Sequence, residues 1–160
     1  MPEIILAETP EAFAAAGTLF RAYAAWLGMD LGYQNFEREL EDLPSMYTAP
    51  HGGLVLARDG TAYLGCCAVR ALDGPICELK RLWVEPQATG MGLGRQLAAR
   101  VVDVARTLGY ERMRLDTIPT RMIAAGRIYT ALGFVEIPKY YDNPNEGIAY
   151  LELDLRSGDT

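Results

Sequence analysis

Histidine is nearly absent from this 160-residue chain: His51, in Pro50-His51-Gly52-Gly53, is the only one, and a lone loop histidine is a weak catalytic candidate. Cysteine is scarce too. Cys66, Cys67 and Cys77 make an odd count with two adjacent, a poor disulfide framework, and no His or Cys lies at zinc spacing. They read as small core residues of two strands, and no metal is expected. No apolar run approaches the roughly 20 residues of a membrane helix, so no membrane partner is expected. The first residues, MPEIILAETPEAF, carry acidic side chains where a signal peptide needs basic ones, which makes the cytoplasm the expected location. Basic residues are outnumbered, fifteen against twenty-one acidic, leaving a net charge of −6. That balance argues against nucleic acid and is compatible with a cationic substrate such as an amine. Repeats and low-complexity tracts are missing as well.

What remains is an ordinary globular composition, half hydrophobic and 22% charged, long enough for one domain, 1–160, with a real core. The chain is organised around Cys77 to Gly109. Glu78 to Val84 reads as a short strand closed by Pro86, which cannot sit in a central ladder. Glu78, Lys80, Leu82 and Val84 share one face of that strand if it is regular; a bulge would flip part of the set. Gly90, Gly92 and Gly94 follow, and then Leu93, Leu97, Val101, Val104 and Leu108 recur at helical spacing up to Gly109.

Three glycines at a helix start cost roughly 1 kcal/mol each against alanine. The cost points to a backbone that touches something. A helix N-terminus has unpaired N–H groups and a partial positive charge, and bare glycines let a phosphate sit on those amides. A tight turn with close helix–strand packing is the competing account, and it needs one or two glycines. A nucleotide P-loop is excluded because Arg95-Gln96, not Lys-Ser/Thr, follows Gly94. A dinucleotide fingerprint is excluded because Arg95 stands where its third glycine belongs.

The rest of the chain supplies a mixed sheet. Ile4 to Leu6 makes a first strand. Thr9-Pro10 starts a helix carrying Phe13, Ala16, Phe20, Tyr23 and Leu27 and ending at Gly28. Phe36, Leu40 and Leu43 suggest a second helix stopped by Pro44, whose other face, Glu37, Glu39, Glu41 and Asp42, reads as solvated surface. Leu54–Arg58 and Thr61–Leu72 form a hairpin through Asp59-Gly60, and Asp73-Gly74 turns into the third of three consecutive antiparallel strands. After Gly109, Arg112–Asp116 makes a strand parallel to Glu78–Val84, because a helix connects them. Pro119-Thr120 starts another helix, through Ala125, Ile128, Ala131 and Leu132 to Gly133. Phe134–Ile137 begins a strand, and Ala149–Leu155 alternates as a half-buried terminal strand. The order β-α-α-β-β-β-α-β-α-β-β is an α/β fold (α+β, mixed sheet).

The run Leu82-Trp83-Val84-Glu85-Pro86-Gln87-Ala88-Thr89-Gly90-Met91-Gly92-Leu93-Gly94-Arg95 resembles the acyl-coenzyme A binding motif of the GNAT superfamily of N-acetyltransferases. Ala125-Gly126-Arg127-Ile128-Tyr129-Thr130-Ala131-Leu132-Gly133-Phe134 resembles the family's Ala-x-x-Leu-Tyr-x-x-x-Gly-Phe stretch. The element order matches along nearly the whole chain. Two positions depart from the pattern. Thr89 stands where the family usually has Arg or Gln, and Met122 where it often has Asn.

The resemblance implies transfer of an acetyl group from acetyl-coenzyme A (acetyl-CoA), as co-substrate, to a primary amine of a small molecule, by direct attack in a ternary complex. A peptide or protein N-terminal acetyltransferase, and a non-catalytic coenzyme A binding module, are the alternatives. The attacking amine must be neutral, which costs a lysine-like amine roughly 4.6 kcal/mol at pH 7 and an α-amino group about 1 kcal/mol. A base therefore matters. Collapse of the tetrahedral intermediate expels a thiolate that an acid can protonate. The resemblance implies Tyr129 as that acid and Glu78 as base, with Asp116 as runner-up; a core tyrosine and an ion-paired glutamate are the plain alternatives. It assigns pantetheine to the backbone of Leu82, Trp83 and Val84 and pyrophosphate to the Thr89–Arg95 turn (Thr89, Gly90, Met91, Gly92, Leu93, Gly94, Arg95). Arg95 and Arg127 add charge. By position it places the amine near Leu31, Tyr33 and Phe36, near Tyr47, and near Tyr140, Tyr141 and Asp142, where aromatic rings and a carboxylate can hold a cation. The sequence leaves a homodimer open and does not fix the dimer state.

Overall fold

The structure, a computed structural model, describes residues 2–28 and 35–156. Strand β1 (Glu3–Leu6) leads into helix α1 (Pro10–Leu27), whose start follows the local signals: Pro10 occupies the first turn and Thr9 Oγ1 accepts the Ala12 N–H at 3.1 Å. Its buried stripe includes Phe13, Ala16 and Phe20, and Gly28 ends it at φ 71°. The second helix is shorter than its periodicity predicts. Helix α2 (Phe36–Glu41) breaks at Asp42, and Pro44 opens a separate turn, α3 (Leu43–Met46), rather than stopping a helix. Proline is tolerated there because first-turn amides have no intrahelical partner. The acidic face of α2 is not all solvated: Glu39 is 5% exposed.

Strands β2 (Gly53–Asp59), β3 (Ala62–Asp73) and β4 (Ile76–Val84) are antiparallel neighbours, as their turn residues predict. Helix α4 (Leu93–Thr107) then crosses to β5 (Arg112–Thr117), parallel to β4. Helix α5 (Ile123–Leu132) starts four residues later than Pro119 suggests, because Arg121 and Met122 both donate to the Ile118 carbonyl and close a turn first. Strands β6 (Val135–Ile137) and β7 (Ala149–Asp154) complete a seven-stranded sheet in the order β1-β2-β3-β4-β5-β7-β6. Strand β7 has a buried residue on each face: Leu153 packs under α4 and α5, while Tyr150 is 7% exposed beneath the rings of Tyr140 and Tyr141.

Two cores lie on opposite faces of the sheet. Leu97, Val101, Met113 and Leu115 fill the one under α4 and α5. Phe20, Tyr47, Leu54 and Leu56 fill the one under α1–α3. Strand β4 changes allegiance between them. Cys77 and Leu79 pack in the α4 layer, so Glu78 and Lys80 face the α1 side. At Arg81 the register against β3 slips, with Ala68 opposite Lys80 but Cys66 opposite Trp83, and Arg81 takes φ 63°. This bulge reverses the facing of the last three residues of the strand: Leu82 and Val84 rejoin the α4 layer, and Trp83 faces α1.

Candidate active site

The bulge coincides with a parting of the sheet. Strands β4 and β5 pair only over Ile76–Glu78 and Arg112–Arg114. Beyond them, among the described residues, the β5-facing edge of Leu79–Val84 has no strand partner. A cavity of about 630 Å³ opens in this gap, within the range of ligand sites.

At one end lies the glycine turn. Gly90 and Gly92 have φ of 88° and 76°, which a side chain would strain, and Gly92 caps α4 without any side-chain bond. The first helical bond runs from the Gln96 N–H to the Gly92 carbonyl, so the amides just before it are left for a ligand. Gly94 serves packing: a Cβ there would lie 3.1 Å from Ile128 Cδ1 of α5. The packing account of the glycines therefore holds at Gly94, while Gly90 and Gly92 are required by the left-handed backbone of the turn. Leu82, Trp83, Val84, Thr89, Gly90, Gly92, Leu93, Gly94, Arg95 and Arg127 all line the cavity; Met91, 48% exposed, does not. Thr89 turns its hydroxyl back to donate to the Pro86 carbonyl, so that hydroxyl is engaged within the loop. A free strand edge followed by a bare, positively polarised helix start fits an extended amide chain ending in a pyrophosphate, the chemistry of coenzyme A.

In the middle, Tyr129 lines the cavity from α5, 5% exposed and packed against Phe134 with ring centroids 5.6 Å apart. Burial first, then Cys67, Tyr23 and Asp116, push its hydroxyl well above the ordinary phenol value, so it stays protonated and can donate.

The other end is built of charged side chains. Glu78, 2% exposed, does not line the cavity. Its Oε1 accepts from Arg70 Nε at 2.9 Å and pairs with Nη2 at 2.8 Å, and its Oε2 accepts from the Tyr140 hydroxyl at 2.5 Å. Burial would raise its pKa, but Lys80, Arg70 and the Tyr140 hydroxyl together hold it below the usual carboxylate value. Lys80 and Asp116 line the cavity directly. Asp116 accepts from the Tyr141 hydroxyl and, at 3.5 Å, from Asn143 Nδ2. Tyr140 and Tyr141 thus act behind the wall, holding the two carboxylates, rather than in it.

Three expected acceptor contacts, Tyr47, Asp142 and Phe36, do not line the cavity. Tyr47 is fully buried and donates to Glu39 at 2.9 Å, because the bulged Arg81 draws Glu39 inward with bonds of 2.9 and 3.1 Å and Tyr47 completes that buried network. Asp142 is exposed and pairs with Lys139 at 2.9 Å. Tyr33 and Leu31 lie outside the described residues, and Phe36 is buried 5.0 Å beneath the Arg81 guanidinium. The wall instead includes Tyr23 and Trp26 of α1, which meet Trp83 at centroid distances of 6.3 and 5.8 Å, and Arg121, stacked on Trp26 at 4.7 Å. By its helical spacing Tyr23 reads only as one more residue of the apolar stripe of α1. Its neighbour Trp26, off that stripe, was the available signal.

The chain matches the family model described as Acetyltransferase (GNAT) family over residues 19–134. It is 41% identical over 140 residues to an uncharacterized N-acetyltransferase of Schizosaccharomyces pombe, covering 86% of this chain and 85% of that one. Its fold resembles the crystal structure of a GNAT-family acetyltransferase from Staphylococcus aureus Mu50, with a TM-score of 0.78 at 19% identity over 97% of this chain and 99% of that one. An acetyltransferase of Salmonella typhimurium, solved with its cofactor acetyl-CoA, matches with a TM-score of 0.66 at 20% identity over 97% of this chain and 94% of that one.

Proposed function

This chain belongs to the acetyltransferase (GNAT) family, an acyltransferase with acetyl-CoA as donor, and we propose that it acetylates the primary amine of a small molecule by direct attack in a ternary complex. One observation carries the reading. The parting of β4 from β5 forms a single cleft that joins the glycine turn, the protonated Tyr129 and the Lys80–Asp116 wall.

Acetyl-CoA supplies an activated thioester; the protein supplies placement and protons. The free edge of Leu82–Val84 aligns the donor's amide chain, and the turn at Gly90–Arg95 holds its pyrophosphate, with Arg95 and Arg127 as counter-charges. Tyr129 delivers a proton to the departing sulfur. Glu78 belongs to the proton-accepting end. With both oxygens engaged by Arg70 and Tyr140, it acts there through its neighbours. The rings of Tyr23, Trp26 and Trp83 suit an acceptor with an apolar body. Buried thiols at Cys66, Cys67 and Cys77 suit a reducing compartment, so we place the protein in the cytoplasm.

Release of free thiol from acetyl-CoA, measured across small amines, polyamines, amino acids and peptides, tests the proposal. Turnover of small amines is expected, and Tyr129→Phe is expected to lower kcat about 10²-fold with little change in acetyl-CoA affinity. Preference for peptides would replace the small-molecule reading. Tight donor binding without turnover would make the protein a coenzyme A binding module.

A further inference from the structure

Lysine is rare in this chain. Thirteen of the fifteen basic residues are arginine, and only Lys80 and Lys139 are lysine. Lys139 is exposed on the segment before β7; Lys80 is 8% exposed in the cavity wall. The last bridge between β4 and β5 pairs Glu78 with Arg114, so two residues further on Lys80 and Asp116 stand at matching positions across the cleft. Arginine cannot give up its proton in a protein, whereas a buried lysine readily does.

The groups around Lys80 come from every neighbouring element. Glu78 and Arg81 flank it on β4, Arg70 comes from β3 and holds Glu78, and Asp116 faces it from β5. Tyr140 and Tyr141 arrive behind the two carboxylates, Tyr23 comes from α1, and Glu39 of α2 neutralises Arg81. Resting on the acetyltransferase reading, we propose that Lys80 takes the proton from the acceptor's ammonium group, with Glu78 as a positioning residue beside it and Asp116 facing it. Burial, followed by Arg81, brings its pKa down to about 8 against the upward pull of Glu78 and Asp116. A base titrating near neutrality suits an ammonium donor far better than a carboxylate held below its usual value.

The protons balance over one cycle. Neutral Lys80 Nζ takes one proton from R–NH₃⁺, leaving R–NH₂ and a lysine ammonium. The amine nitrogen forms its bond to the acetyl carbon as the C–S bond breaks. The sulfur takes the Tyr129 proton, the acylated nitrogen gives up its extra proton to restore Tyr129, and Lys80 discharges to solvent. Each turnover yields one amide, one thiol and one proton.

Two acceptors of similar shape separate proton removal from the later steps. Benzylamine is charged at about pH 7 and phenylhydrazine is neutral there. Lys80→Met and Lys80→Arg are both expected to lose roughly 10²-fold or more in kcat/KM with benzylamine, and only a few-fold with phenylhydrazine. Full activity of Lys80→Arg on benzylamine would overturn the proposal, since a fixed charge would then suffice. Equal losses on both acceptors would overturn it too. The wild-type protein labelled with ¹³C-lysine gives a readout independent of turnover and of how the variants fold: two lysines titrate, and one should do so near pH 8. Two lysines at the ordinary value near 10.4 would sink the assignment while leaving the acetyltransferase reading intact. If the wild type released thiol at the same rate with and without an amine, the acetyltransferase reading itself would fall, and the role of Lys80 with it.

Discussion

The two ends of the cleft are made of different materials. The proposed donor end is backbone: a free strand edge and a helix start stripped of side chains, contiguous from Leu82 to Arg95. The proposed acceptor end is side chain: Glu78, Lys80 and Arg81 of β4, Arg70 of β3, Asp116 of β5, Glu39 of α2 and two tyrosines of the segment before β7, tied by ion pairs and hydrogen bonds between different elements. Amides recognise what every acyl-CoA shares. Charged side chains with several partners define one proton-handling arrangement. Damage to the two ends should therefore look different.

The largest effect is expected from Glu39. Glu39→Ala strands the Arg81 guanidinium in the core and unpairs the Tyr47 hydroxyl, and removing one member of a buried pair costs about 3–5 kcal/mol. For a chain of this size that lowers Tm by roughly 10 °C, measurable by calorimetry, while Glu41→Ala, on the exposed side of α2, should move it by less than about 2 °C. Below its melting range the Glu39 variant should still bind acetyl-CoA. Equal loss of donor affinity would break the division between the two ends.

Gly92→Ala should do the opposite. Its φ of 76° costs a residue bearing a Cβ about 1–2 kcal/mol, and the turn is expected to relax and misdirect its amides. Acetyl-CoA affinity by calorimetric titration should fall about tenfold, with the acceptor KM hardly changed. A larger change in the acceptor KM would mean that the ends are coupled.

The same division decides what the sequence made legible. The donor end depends on local conformation, so spacing alone located the strand, the turn and the start of α4, and the three antiparallel strands and the parallel β4–β5 crossover came from turn residues and connection length. The acceptor end depends on which face of β4 each residue occupies. One residue, Arg81 at φ 63°, reverses that assignment, and alternation carries no mark of where a bulge falls. Glu39 shows the same limit. Among four acidic residues of one short segment, only tertiary contact with Arg81 buries it. Tyr47 went with Glu39 into the core, away from the substrate role its position suggested.

Thr89 offers the finest test, because it stands where the family usually has Arg or Gln and its own hydroxyl is engaged within the loop. It is exposed at the cavity rim, and its hydroxyl closes the loop onto Pro86 instead of facing the ligand. Thr89→Arg would lose that loop bond and gain a guanidinium beside the bound pyrophosphate. An exposed charge-assisted contact contributes about 0.5–1 kcal/mol, so acetyl-CoA should bind roughly two- to fivefold more tightly in dilute buffer. Raising the salt to about 1 M contracts the screening length to about 3 Å and should erase most of the gain. A salt-independent gain would mean that the arginine acts by stiffening the turn rather than through its charge. Weaker binding would mean that the Thr89–Pro86 bond is what keeps the amides aimed, and the donor end would then depend on a side chain after all.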